Sequence, residues 1–106
     1  MSKKENYPSI GLITIGQSPR EDITSDIKTL LGVQIRILEL GVLDNLSRIE
    51  IKKLYPEKND FPLITRLRDK SSVVVGRKKI FPLILAKIME IENLGVQFSA
   101  LLCTED

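Results

Sequence analysis

The pattern of apolar and polar positions predicts alternating strands and helices in the first part of the chain. Residues 10–15 form a nearly continuous apolar run, which is typical of a strand covered on both faces in a parallel sheet. Gly16 ends this run. Apolar side chains then recur at helical spacing up to Leu31, and residues 33–37 alternate between apolar and polar. The pattern predicts a βαβ unit whose right-handed crossover makes the two strands parallel, with the second strand nearer the sheet edge.

The start of this first helix carries residues typical of a helix beginning. Ser18 stands at the N-cap position, Pro19 at the first helical position and Glu21 three residues after the cap, which together form a capping box. Such a turn directs backbone N–H groups outward at the carboxyl end of a central strand, where open α/β sheets bind small anionic or polar ligands. Arg20 suits an anion but opposes the helix dipole, and a plain helix cap is the alternative. The ligand-binding residues predicted here are Gly16, Gln17, Ser18 and Arg20.

A loop and a short helix follow the second predicted strand. Residues 39–45 should form a loop at the same edge of the sheet as Gly16, because parallel strands have their carboxyl ends on one side. Ser47 and Glu50 repeat the capping-box spacing. They predict the start of a short helix that stops by Pro56.

A β-hairpin is predicted next. Apolar runs at 63–67 and 72–75 flank a polar connection of four residues, which is longer than a two-residue hairpin turn. The hairpin either adds to the sheet or projects from it as an arm. Arg66, Arg68 and Asp69 alternate in charge within it, and we expect them to be solvated surface rather than catalytic.

The last part of the chain predicts a long helix and a third strand. Apolar positions from about residue 80 to 94, closed by Gly95, predict a largely buried helix. Residues 96–102 predict a third core strand, with Cys103 and Thr104 at its carboxyl end. The expected fold class is α/β, a three-layer α/β/α arrangement with a mostly parallel sheet in the order 2-1-3 and an inserted β-hairpin.

Length and composition limit the class of protein. A chain of 106 residues has the mass of one domain, and 42% hydrophobic with 28% charged residues is typical of globular proteins. A net charge of +2, with five aromatic residues that are not interleaved with the basic ones, excludes a typical nucleic-acid surface. Residues 10–15 are too short an apolar run for a membrane span or a signal peptide. We expect a cytoplasmic protein, without membrane or nucleic-acid partners, in which residues 1–7 form a flexible tail.

Metal and nucleotide chemistry are not indicated. The chain has no histidine and one cysteine, so the commonest metal ligand is absent and no internal disulfide is possible. Gly11, Gly16 and Ser18 have the spacing of a phosphate-binding loop, but Gln17 replaces its lysine and the intervening residues are strand formers. We expect neither a metal nor a cofactor.

Four segments together resemble the AroM family, and the match extends over nearly the whole chain. They read GLITIGQSPRED at 11–22, LGVLDNLS at 40–47, LITRLRDKSSVVV at 63–75 and LLCT at 101–104. This family is similar to the aspartate/glutamate/hydantoin racemase superfamily, in which two α/β lobes each supply one cysteine to a cleft. The resemblance implies that the chain is one such lobe, the amino-terminal half of a longer pattern.

The resemblance also implies roles for three residues. Cys103 and Thr104 resemble the cysteine-threonine element whose thiolate moves a proton beside a carboxylate, and Asp44 falls in a matching loop as a ligand-binding residue. The alternatives are a buried inert cysteine and a loop Asx-turn. Glu105 follows Thr104 where the family pattern has glycine, and together with Asp106 it disfavours ionisation of the thiol. We therefore expect Cys103 to have an ordinary or raised pKa.

Two classes of function remain open. One is a protein that binds a small carboxylate or another anion at the carboxyl end of the sheet without catalysis. The other is a racemase- or isomerase-like lobe that uses Cys103 as acid and base and is inactive without a second lobe. In either case an uncovered apolar face should make the chain self-associate, most simply as a homodimer.

Overall fold

The predicted α/β architecture is confirmed in the computed structural model, which describes residues 8–31 and 34–102. Helices alternate with the strands of a parallel sheet, and a hairpin is inserted between the second and third of those strands. The elements are β1 (Ser9–Thr14), α1 (Glu21–Leu31), β2 (Arg36–Gly41), α2 (Arg48–Lys52), β3 (Pro62–Arg66), β4 (Ser72–Gly76), α3 (Arg77–Asn93) and β5 (Phe98–Leu102).

The parallel sheet has β1 in its centre, in the order β2-β1-β5. This confirms the predicted order 2-1-3, with the second strand at an edge. Ile10 aligns with Ile37 on one side and with Phe98 on the other. A Cβ atom on Gly11 would lie 2.7 Å from the Ile91 side chain, so this glycine lets α3 pack directly against the face of β1. Leu12 therefore lies on the opposite face.

The hairpin forms a sheet of its own rather than joining the parallel one. Strands β3 and β4 pair antiparallel, with Thr65 opposite Val73. In the connection, Lys70 has a φ of 76° and donates its backbone N–H to the Leu67 carbonyl at 2.9 Å. The hairpin is packed against the rest of the molecule, since Val75 is fully buried in the same hydrophobic cluster as residues of β1 and α3.

Helix α1 begins at Glu21, and the prediction that Ser18 caps it is wrong. The Ser18 hydroxyl instead donates to Asp44, and the Ser18–Pro19 peptide bond is cis. The first turn is closed by the Arg20 carbonyl, which accepts from the N–H groups of Ile23 and Thr24 at 3.0 Å each. The Ser18 hydroxyl therefore donates to the carboxylate of Asp44, which follows β2 in the chain. The local spacing had predicted that it would instead accept from a backbone N–H at the start of α1.

Strand β2 continues further than its alternating pattern indicates. The prediction placed it at 33–37, of which residue 33 lies outside the described part, whereas pairing with β1 continues to Gly41. Residues 39–41 are therefore strand, and the predicted loop is reduced to a turn at 42–45.

The short helix α2 begins as predicted. Ser47 is its N-cap, and its hydroxyl accepts from the Glu50 N–H while the Glu50 carboxylate accepts from the Ser47 N–H. This capping box satisfies two backbone donors at the helix start. The helix ends before Pro56, again as predicted.

Helix α3 starts earlier than predicted, at Arg77, so that Pro82 lies inside it. Gly76 provides no side-chain cap, but the Asp60 carboxylate accepts from the Lys78 N–H at 3.1 Å. The C-terminal glycine is confirmed, with Gly95 at a φ of 83°. A carboxylate from a distant turn thus supplies the N-terminal acceptor that the local sequence lacks.

The last helix and strand are more exposed than the sequence predicts. Within α3 the buried residues are Ile80, Ile84 and Ile91, whereas Phe81 and Met89 are more than half exposed. Strand β5 was expected in the core, yet four of its five residues are exposed. No helix in the described part of the chain is both long and apolar enough to cross a membrane.

Candidate functional site

The loops at the carboxyl end of β1 are held together by a close approach at Gly16. A Cβ atom there would lie 2.1 Å from the Arg66 carbonyl oxygen and 2.7 Å from the Thr65 hydroxyl. The Gly16 carbonyl accepts from the Leu43 N–H at 2.9 Å, and the Gln17 N–H donates to the Arg66 carbonyl at 3.2 Å. Glycine at this position therefore lets three segments meet: the β1–α1 loop, the turn after β2, and strand β3.

Asp44 is the centre of the hydrogen-bond network that fixes these segments. Its Oδ1 accepts from the Ser18 N–H at 2.7 Å and from the Arg68 guanidinium at 3.1 Å. Its Oδ2 accepts from the Ser18 hydroxyl at 2.7 Å and the Gly41 N–H at 2.8 Å. The side chain is 16% exposed. Four donors from three segments thus saturate one carboxylate.

Arg68 and Gln17 complete this network. The Gln17 side chain accepts from the Arg68 N–H at 2.8 Å and donates to the Leu43 carbonyl at 3.3 Å. The Arg68 Nε donates to the Ser18 carbonyl at 2.7 Å. The expectation that Arg68 is only solvated surface is therefore wrong. Its place in the segment that resembles the AroM family was the one signal in the sequence for such a role.

Arg20 is held at the start of α1 by two acidic residues. Its guanidinium donates to both carboxylate oxygens of Asp22, at 3.2 and 3.0 Å, and its backbone N–H donates to the Glu39 carboxylate. The hydrogen bonds from Arg20 hold the pKa of Asp22 below its ordinary value. The Arg20 side chain is 11% exposed. An arginine that is mostly shielded from solvent and held by a bidentate ion pair has a fixed orientation.

A groove of about 510 Å³ lies between the start of α1 and the β3–β4 connection. Four cationic and two acidic side chains contribute to its walls. Arg68 is half exposed there, and none of the described residues accepts a hydrogen bond from the exposed Lys70 ammonium. The lining residues are Pro19, Arg20, Glu21, Asp22, Arg66, Leu67, Arg68 and Lys70.

The predicted site residues form three groups: one residue that lines the groove, several that lie beside it, and two that lie outside the described part of the chain. Arg20 lines the groove, whereas Gly16, Gln17, Ser18 and Asp44 lie beside it in the hydrogen-bond network. The backbone N–H groups of Gln17, Ser18 and Arg20 all donate to acceptors within the protein. Cys103 and Thr104 lie outside the described residues. Lys70, Arg66 and Arg68 are lining residues that the sequence did not assign to a site.

One buried polar atom lies at the same end of the sheet. The Thr14 hydroxyl has no hydrogen-bond partner among the described residues, although Thr14 is 2% exposed. Thr14 is the last residue of β1 and aligns with Leu102 of β5, the residue before Cys103. No group of three potential metal ligands occurs in the ranges 8–31 and 34–102.

Comparison with known proteins gives a match at the level of a protein family. No curated protein and no solved structure is significantly similar to the chain. The family model described as AroM protein matches residues 10–106, which include every described strand and helix apart from the first residue of β1. The chain therefore belongs to the AroM family.

Proposed function

We propose that this AroM-family chain binds a small anion, a carboxylate in particular, in the groove between the start of α1 and the β3–β4 connection. The observation that carries the proposal is the set of four cationic side chains around a volume of about 510 Å³. This volume is in the range of small-molecule sites, and the groove lies by the carboxyl end of a central parallel strand, where α/β proteins bind ligands.

The charges of the groove favour an anion. Arg20, Arg66, Arg68 and Lys70 outnumber the two acidic residues of the lining, Glu21 and Asp22. The ion pair between Asp22 and Arg20 cancels one charge of each sign, and the remaining lining then has three cationic side chains and one acidic one. Arginine side chains match the planar geometry of carboxylates, and the lysine adds a mobile ammonium group. The side chains, rather than the backbone N–H groups of the loop, are the donors in this proposal.

The network around Asp44 supports binding by holding two of these side chains in place. Arg68 is fixed by the Ser18 carbonyl and the Asp44 carboxylate, and Arg20 by Asp22. Donors that are already oriented lose less conformational entropy when a ligand binds. In this view Gly16, Gln17, Ser18 and Asp44 support the site, and Arg20, Arg68 and Lys70 contact the anion.

Titration calorimetry with succinate and with inorganic phosphate tests the proposal. Substitution Lys70→Gln removes the ammonium and keeps a side chain of similar shape at the same φ, so we expect the dissociation constant for succinate to rise about three- to tenfold. Raising the ionic strength should weaken binding further, because the groove is open to solvent.

Lys52→Gln is the matched control, since Lys52 is an exposed lysine of α2 that does not line the groove. It should leave the affinity unchanged. If neither succinate nor phosphate binds, or if Lys52→Gln weakens binding as much as Lys70→Gln does, the groove is not the anion site.

A racemase- or isomerase-like lobe, with Cys103 as acid and base and Thr104 beside it, is the alternative proposal. It is supported by the end of β5 at Leu102, which brings the chain to the same end of the sheet as the groove. Iodoacetamide alkylation against pH tests it. A rate that is already maximal at about pH 7, well below the ordinary cysteine pKa of about 8.5, would indicate an activated thiolate.

A further inference from the structure

Helix α3 carries an exposed apolar stripe along its length. Phe81, Leu85 and Met89 are 57%, 46% and 65% exposed. Residues four apart are neighbours on a helix surface, so these three side chains form one continuous row. A different face of the helix holds Ile84 and Ile91, which are buried in the hydrophobic cluster. The described part of the chain therefore leaves the row of Phe81, Leu85 and Met89 largely uncovered.

One charged residue lies at each end of this row. Lys78 stands seven residues before Leu85 and Glu92 seven residues after it. Seven residues are about two helical turns, so both side chains lie on the same face as the apolar row. Both residues are exposed, and neither side chain forms an ion pair with any residue that the structure describes.

The charges at the ends of α3 are the reverse of those that a helix dipole favours. The first turn holds three basic residues and no acidic one, and the last turn holds no basic residue. Of the three, Lys79 pairs with Glu57 at 2.7 Å, and the Arg77 guanidinium lies over the Phe61 ring at 5.4 Å. Lys78 at the start of α3 and the acidic residue at its end therefore keep charges that the helix itself disfavours.

We propose that α3 pairs antiparallel with α3 of a second copy of this chain, about a twofold axis that passes beside Leu85. In such a pair each residue lies opposite the one that is equally far from Leu85 in the other direction. Leu85 then meets its own copy, and Phe81 meets Met89. Lys78 meets Glu92 at both ends of the contact. The row is thus complementary to itself in apolar character and in charge, and the contact closes as a dimer.

The positions of the charges select this arrangement. A parallel pair would place Lys78 beside Lys78 and Glu92 beside Glu92, which is unfavourable. The antiparallel pair replaces both repulsions by attractions and brings a methionine sulfur to an aromatic ring, which is a favourable contact. Three apolar side chains from each copy bury less than the roughly 800 Å² per partner of a standard interface. We therefore expect a weak dimer, with a dissociation constant on the order of 100 μM.

Sedimentation equilibrium and nuclear Overhauser effects on the full chain test this proposal. Phe81 and Met89 of one helix are about 12 Å apart along its axis, so they do not contact each other within one copy. In a sample mixed from carbon-13-labelled and unlabelled chain, we expect cross-peaks between the Met89 methyl group and the Phe81 ring of different copies. Their intensity should rise with protein concentration.

A charge exchange tests the pairing of the helix ends. Glu92→Lys places two lysines opposite each other at both ends and should raise the dissociation constant about tenfold, and Lys78→Glu should do the same with two acidic residues. The double variant restores opposite charges and should recover the wild-type affinity to within about threefold. Circular dichroism confirms that the variants are folded.

Asp26→Lys is the matched control, because Asp26 is an exposed acidic residue of α1 and the substitution changes the charge equally. It should leave the dimer unchanged. A chain that stays monomeric up to about 1 mM overturns the proposal. A dimer without the Met89–Phe81 cross-peaks overturns it too, as does one that Glu92→Lys weakens no more than Asp26→Lys, or one that the double variant does not restore.

Discussion

At the scale of single residues, Gly16 decides how the hairpin joins the parallel sheet. A methyl group there would meet the Arg66 carbonyl oxygen at 2.1 Å, which is far inside van der Waals contact. That oxygen belongs to the backbone of β3 and accepts from the Gln17 N–H, so it cannot move away without breaking that bond. We expect Gly16→Ala to lower the free energy of unfolding by about 1–3 kcal/mol, measured by urea denaturation.

The second atom near Gly16 provides a control for this prediction. The Thr65 hydroxyl would lie 2.7 Å from the added methyl group, and Thr65→Ala removes it. Because the closer clash is with the backbone, the double variant should not recover the stability that Gly16→Ala loses. Full recovery would show that the side chain, not the carbonyl, limits the space.

The hydrogen bonds of Asp44 come partly from its own turn and partly from segments that are distant in sequence. An aspartate in a turn most simply bonds its own turn, as Asp44 does with the Gly41 N–H. Its other three donors come from Ser18 and Arg68, which are 26 and 24 residues away in sequence. The resemblance to the AroM family indicated the aspartate, whereas the arginine that it holds was expected to be solvated surface.

At the scale of secondary-structure elements, helix α2 is fixed by its capping box. Hydrogen bonds from Ser47 to the Glu50 carboxylate hold the pKa of Glu50 below its ordinary value. A folded-state pKa below the unfolded one means that ionised Glu50 stabilises the fold above the unfolded pKa, about 4.3. This contribution should be lost as the pH falls through the lower, folded-state pKa.

Substitution Glu50→Gln tests the pH dependence, since glutamine keeps the hydrogen bond but does not titrate. We expect the wild-type chain to exceed this variant in free energy of unfolding at about pH 7, and the difference to shrink by about pH 3. Urea denaturation at both values measures it. A difference that stays constant across this range would contradict the prediction.

Element boundaries depend on partners outside each element. Helix α3 begins at Arg77 because Asp60, from the turn before β3, supplies an acceptor to its first turn. Strand β2 reaches Gly41 because β1 pairs with it for its full length. In both cases local periodicity indicated the element and a distant segment determined its length.

At the scale of the whole molecule, one hydrophobic cluster joins the two sheets. Ile13 and Ile15 at the end of the parallel sheet, Leu67 and Val75 from the hairpin, and Ile80 of α3 belong to it. Since the hairpin shares its buried residues with the parallel sheet, the two should unfold as one cooperative unit.

Val75→Ala tests this cooperativity, because Val75 is fully buried in the hairpin. We expect it to lower the free energy of unfolding by about 1–3 kcal/mol, and native-state hydrogen exchange should show the same loss for the slowest amides of β1 as for those of β4. Ile64→Ala, at a residue of β3 that is 46% exposed, is the control and should have a smaller effect. A loss confined to hairpin amides would mean that the two sheets unfold separately.

The sequence by itself determined the kind and order of the elements. The apolar run of β1, the paired runs of the hairpin, the Ser47 and Glu50 cap and the glycine after α3 are local signals, and each predicted its element correctly. The order of the parallel strands followed as well, because right-handed crossovers leave few alternatives. It also placed the candidate site at the carboxyl end of β1.

Only the tertiary structure decided which polar groups meet at that end and which apolar ones remain uncovered. The Ser18 hydroxyl has two competing uses, as a helix cap or as a donor to Asp44, and the choice depends on where the turn after β2 lies. The same holds for Arg68, which the hairpin brings to the loop after β1. The sequence did not predict the exposure of β5 either. An apolar pattern shows that a strand is able to be buried, whereas its actual burial depends on which neighbouring elements cover it.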